Sequence, residues 1–153
     1  MNNFSFSFAF FTLGFAAFLS ACSGDEGGSS PADKCKNGVS EACLVGKWNF
    51  DGIKEDTTTP CSGTLDINDT AYTFDGSWGG NGLRLGGPWS LEGTNVIKIN
   101  CILRDCEGNT GRGTVTVSPD GMTMEIRSNA SQAAVSLYES SLSNPTEKFT
   151  RLK

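Results

Sequence analysis

The sequence contains no histidine. That absence removes the commonest general base and the Ser–His and Cys–His pairs used in nucleophilic catalysis. It also thins the supply of metal ligands: without His or Cys-x-x-Cys spacing, the cysteines do not read as a zinc site. There is no Gly-x-x-x-x-Gly-Lys phosphate loop and no dinucleotide-binding glycine fingerprint. Basic runs are missing. Twelve Lys and Arg stand against seventeen Asp and Glu, a net charge of −5, which argues against nucleic acid and against electrostatic attachment to anionic lipid. The carboxylates lie mostly at turns or at outward-facing strand positions, so the chain reads as a non-enzyme with no cofactor and no metal. Helical periodicity is scarce. Residues 133–142 are the exception, fitting a strand or a helical turn and read here as an irregular crossing segment. No internal repeat of 20 residues or more is present.

Charged side chains are also missing from residues 1–21, where seven of the ten Phe are found. Phe4, Phe6, Phe8, Phe10, Phe11, Leu13, Phe15 and Phe18 make an apolar run that ends in the small residues Ser20 and Ala21, the pattern of a secretory signal. The run falls short of the ~20 residues that span a bilayer. Leu19-Ser20-Ala21-Cys22 closes it. This order resembles the lipobox of a bacterial lipoprotein. The resemblance implies cleavage before Cys22, a diacylglycerol thioether on its sulfur, and a membrane as partner through the lipid anchor. The implied location is the bacterial cell envelope, at the outer membrane if the organism is Gram-negative. Each buried CH₂ of an acyl chain contributes about 0.8 kcal/mol, so more than one chain on Cys22, a palmitate among them, makes the anchoring firm.

Residues 22–43 carry the lipidated Cys and a tether with a Cys loop. From Ser23 to Asp33 the segment is polar, glycine-rich and aperiodic, which predicts a solvated linker.

Residues 44–153 read as one all-β domain: a small antiparallel up-and-down barrel of about eight strands. Trp48 and Phe50 share one parity, as do Leu65 and Ile67; Asn68-Asp69 turns the chain, and Tyr72 and Phe74 resume. Gly76 to Gly82 reads as a loop or bulged corner. Leu83, Leu85, Trp89 and Leu91 alternate around Gly86-Gly87-Pro88, which suggests a bulge or an edge. Glu92 to Asn95 turns; Ile97, Ile99, Cys101 and Leu103 follow in step; 105–113 reads as loop. Val115 and Val117 face inward, Pro119-Asp120-Gly121 turns, Met122, Met124 and Ile126 return, and a last strand covers 147–153.

Gly46-Lys47-Trp48 at the first strand and Phe149-Thr150-Arg151-Leu152 at the end resemble the opening and closing motifs of lipocalin-like domains. The Phe74–Trp78 hairpin, Pro88 to Thr94 and Ser118 to Met124 resemble motifs between them. The resemblance implies a barrel whose closed end is covered by Trp48 with the Arg151 guanidinium across its face, a contact contributing about 0.5–2 kcal/mol. Such a barrel has an interior just wide enough to be filled by side chains or to hold one small ligand. Inward candidates are Phe50, Tyr72, Phe74, Leu85, Trp89, Ile99, Val117, Met124 and Ile126. Of these, Tyr72, Phe74, Leu85, Trp89, Ile99 and Met124 are the candidate ligand-binding residues, for a small apolar ligand. A pocket wall and a packed core use the same residue types, so the sequence leaves both open. A protein-binding module, such as a hydrolase inhibitor working through loops 76–82 and 104–113, and a purely structural envelope protein are the other readings.

In an exported chain disulfides are the default state of cysteine. Cys35, Cys43, Cys61, Cys101 and Cys106 allow about 15 two-bridge pairings with one thiol left over. Cys35–Cys43 closes a short loop ahead of the barrel. The second bridge joins Cys101 to Cys106, or either of them to Cys61.

Overall fold

A computed structural model describes residues 29–103, 107–108, 110–128 and 144–153. The apolar leader, Cys22, most of the tether, Cys106 and the 133–142 segment lie outside the described residues.

Eight antiparallel strands follow one another in chain order and close into a barrel, β1 meeting β8. They are β1 Gly46–Ile53, β2 Cys61–Ile67, β3 Ala71–Trp78, β4 Asn81–Glu92, β5 Val96–Asn100, β6 Thr110–Val117, β7 Thr123–Ser128 and β8 Thr146–Arg151. Closure leaves no unpaired edge, the liability of any open sheet. Alternation decides the faces: Trp48 and Phe50, Leu65 and Ile67, Tyr72 and Phe74 are buried while their neighbours are not. Between Phe50 and Gly52 the β1–β8 register shifts, and Gly52 takes φ +120°. That bulge moves Ile53 onto the buried face.

Three sequence expectations need correction. First, Gly76 to Gly82 is not a loop. β3 runs through to Trp78, which faces Asn81 across the two-residue turn Gly79-Gly80, with φ +55° and +84°. Positive φ at both central residues is what a type I′ hairpin needs, and glycine supplies it without strain. Second, Gly86-Gly87-Pro88 is neither an edge nor a break; β4 continues through it, with Gly87 opposite Tyr72 and Pro88 opposite Ala71. The glycines are there for close approach. Ile102 donates its N–H to the Gly86 carbonyl at 2.9 Å, and a Cβ on Gly87 would fall 1.9 Å from the Asn100 carbonyl oxygen. Third, 110–113 is strand and not loop, since β6 starts at Thr110 and Gly111 pairs with Ile99.

The end of the tether is ordered as well. Ser30 caps a short helix, α1 (Pro31–Cys35), by accepting from the Asp33 N–H at 3.2 Å, and Ser40 caps α2 (Glu41–Leu44) in the same way from Cys43 at 3.1 Å. Cys35 and Cys43 form a disulfide that joins them. Leu44 and Cys43 are completely buried, and the indole N–H of Trp48 donates to the Leu44 carbonyl at 2.9 Å. This N-terminal segment is therefore a plug under the barrel end formed by the start of β1 and the end of β8. Among the described residues no helix is long and apolar enough to cross a membrane.

Candidate functional site

The barrel interior is divided into two layers. At the plugged end, Leu44, Trp48, Val115 and Met124 are at most 1 % exposed and pack solidly. Arg151 lies over Trp48, its Cζ 4.0 Å from the ring centroid. Its guanidinium donates to the carbonyls of Gly121 at 2.8 Å, Val45 at 2.9 Å and Cys43. A flat, rigid fork of donors can serve three carbonyls while stacking on a ring; an ammonium cannot. This arrangement fixes the plug to both ends of the chain's sheet.

Above this layer the barrel holds a cavity of about 80 Å³. The reason lies in small inward residues. On β6 the inward parity of Val115 places Gly113 and Gly111 on the same face, and both line the cavity. On β2 and β3 the inward pair Gly63 and Gly76 leaves room that the Phe74 ring covers; a Cβ on either would come within 2.8 Å of it. Aromatic walls result. Phe50 meets Phe74 edge-on at 5.5 Å between centroids and Phe149 at 5.4 Å. Leu65, Ile67, Leu85, Ile97, Ile99 and Ile126 complete an apolar wall, and the polar lining comes from Tyr72, Arg112, Ser128 and Glu147.

Of the six candidate ligand residues, Tyr72, Phe74, Leu85 and Ile99 line this cavity; Trp89 and Met124 do not. Met124 is 1 % exposed, in the packed layer below. Trp89 sits near the plugged end, where its indole N–H donates to the Asn68 carbonyl at 2.7 Å and braces the β2–β3 turn. Leu65, Ile67, Ile97, Phe149, Ser128 and Glu147 line the cavity as well, and strand parity, which places them inward, is the signal that marks them. Gly111 and Gly113 were hidden by their resemblance to loop.

The Tyr72 hydroxyl is buried and has no hydrogen-bond partner among the described residues, and burial pushes its pKa up to about 12. The Arg112 guanidinium turns to the outer face, where Glu92 takes it at 2.9 and 3.1 Å, with Lys98 4.0 Å from the same carboxylate. The cysteines divide as follows. Cys101 is disulfide-bonded, with its partner outside the described residues, and Cys61 is a free thiol, which excludes Cys61 from the second bridge. Cys61 is half-buried over Gly52; burial raises its pKa.

No family model and no curated protein matches the sequence. Among solved structures, a redesigned β-barrel is similar at 13 % identity and a TM-score of 0.46, covering 82 % of this chain and 100 % of that one.

Proposed function

We propose that this chain is a cell-envelope lipoprotein, exported through residues 1–21, acylated on Cys22, and carrying a lipocalin-like barrel that takes up a small apolar ligand. The apolar cavity in the upper barrel carries the ligand half of this reading: its wall is aromatic and aliphatic, with few polar groups, as small-molecule sites are. The Leu19-Ser20-Ala21-Cys22 order supports the anchor, and the Cys35–Cys43 disulfide fits an oxidising compartment. Between Cys22 and the capping residue Ser30 lie residues 23–29, a reach of no more than about 29 Å. The anchor would thus attach at the plugged end, with the cavity on the far side from the bilayer. The protein-binding reading loses support, because 76–82 is a tight hairpin and 110–113 belong to β6.

Native mass spectrometry of the full chain tests the ligand half. A co-purifying small apolar molecule, or uptake of one added in solution, is expected. A barrel that arrives empty and takes up no apolar probe would overturn it. Labelled palmitate should enter the wild-type chain and not Cys22→Ser; absence of label in the wild type removes the anchor half.

A further inference from the structure

We infer that the cavity is a narrow channel that takes an unbranched apolar chain and turns away a branched one of the same size, and that Gly113 is the residue that sets its width. The inference rests on reading the cavity as a ligand site.

Length and volume together point to this shape. Ile67 and Glu147 both line the cavity. Ile67 pairs with Gly46 and Glu147 pairs with Ile53, positions that stand roughly 20 Å apart along β1. The volume that serves this length is about 80 Å³. An engineered apolar cavity that accommodates benzene measures about 150 Å³. A space roughly half that size, drawn out along the barrel, has the width of a methylene chain and not of a ring or a tert-butyl group.

The walls fix that width. In a closed barrel of eight strands β2 lies across from β6, and Phe50 and Phe74 flank β2 on β1 and β3. Their rings meet edge-on at 5.5 Å. The Phe74 ring already rests against the sheet, its Cζ 2.6 and 2.7 Å from where a Cβ on Gly63 or Gly76 would stand. It has no room to withdraw further. On the other side, Gly113 sits in extended strand without a positive φ, so the backbone does not require glycine there. What the position lacks is room. A Cβ would stand 2.7 Å from Ile126 Cγ2 and 3.1 Å from the Arg127 carbonyl oxygen. Ile126 belongs to the same cavity wall, so a methyl at 113 competes with it for the width of the channel.

Two isomers of one formula separate shape from hydrophobicity: 1-pentanol, whose carbon chain is linear, and neopentyl alcohol, whose chain ends in a tert-butyl group. Binding to the full chain is followed by NMR shifts of the Ile97 and Ile99 methyls, which line the cavity and so distinguish its occupancy from partition elsewhere. In the wild type 1-pentanol shifts these methyls, and neopentyl alcohol binds at least about tenfold more weakly. Ile126→Ala widens the channel and brings the two isomers within about twofold of each other. Gly113→Ala narrows it and weakens 1-pentanol about tenfold. Should Gly113→Ala not fold, the Ile126→Ala comparison decides alone. If neither isomer binds the wild type, the ligand reading itself falls. If neopentyl alcohol binds the wild type as tightly as 1-pentanol, if Ile126→Ala still excludes it, or if folded Gly113→Ala binds 1-pentanol unchanged, the ligand reading stands and this inference fails.

Discussion

Arg151 shows how one side chain can hold three segments. Its stack on Trp48 contributes about 0.5–2 kcal/mol, but the geometry adds donors to three carbonyls from the plug and from the β6–β7 turn. Burial pulls its pKa downward, yet a guanidinium remains charged in proteins. Arg151→Lys keeps the charge and loses the fork, leaving at least two partly buried carbonyls unserved. We expect it to destabilise the barrel by about 2 kcal/mol in urea unfolding. A change below about 0.5 kcal/mol would mean that charge alone suffices. The Trp–Arg pair was legible through its resemblance to lipocalin-like ends. The three carbonyls were not, because backbone acceptors carry no residue signature and come from positions up to 108 residues away.

At the scale of the element, glycine has two opposite meanings and the sequence does not distinguish them. In Gly79-Gly80 it allows a left-handed turn; in Gly86-Gly87 it allows another segment to approach. Both look like punctuation in the sequence, so one hairpin reads as a loop and one continuous strand as interrupted. Turns marked by Asn68-Asp69 and Pro119-Asp120-Gly121 were read correctly, since those residues cap their own backbone: Asn68 Oδ1 accepts from the Ala71 N–H at 2.9 Å, and Asp120 from Met122 at 3.0 Å. Two alanine substitutions on β4 test the distinction. Gly87→Ala drives a methyl into the Asn100 carbonyl and should cost about 3 kcal/mol, whereas Gly82→Ala meets nothing within 4 Å and should change stability by less than about 0.5 kcal/mol. Equal melting temperatures for the two would show that the 100–102 segment moves aside freely. The plug is a separate element with its own staple. Closing an eight-residue separation, the Cys35–Cys43 bridge should stabilise by about 2–3 kcal/mol, read as the loss in the Cys35→Ser/Cys43→Ser double variant.

For the whole molecule, the number of strands and their meander order were legible because each strand alternates and each connection is short. Closure was an inference from edge avoidance. The cavity was not legible, since it is made by absent side chains at Gly111 and Gly113. Closure also depends on a latch at the end opposite the plug, where the chain's first and last strands meet. Thr146, 7 % exposed, donates its N–H and its hydroxyl to the two carboxylate oxygens of Glu55 at 2.7 and 2.8 Å, and the Lys54 N–H donates to the Thr146 carbonyl at 2.8 Å. Burial, the largest single influence, would raise the Glu55 pKa, but the two bonds from Thr146, helped by the Glu55 backbone N–H and the Arg127 charge, together hold the carboxyl below its ordinary value of 4.5. A depressed folded-state pKa means that the unfolded chain takes up the proton first as acid is added. The latch's contribution is therefore complete above pH 4.5 and is lost as the pH falls through the folded value. Glu55→Gln keeps the shape and removes the charge. At pH 7 it should lower the urea midpoint by on the order of 0.5 M, and once acid has protonated the carboxyl in the folded state as well, the variant and wild-type midpoints should converge. A gap of the same size at both pH values would show that the β1–β8 seam is held by shape and backbone pairing alone, with the Glu55 charge contributing nothing.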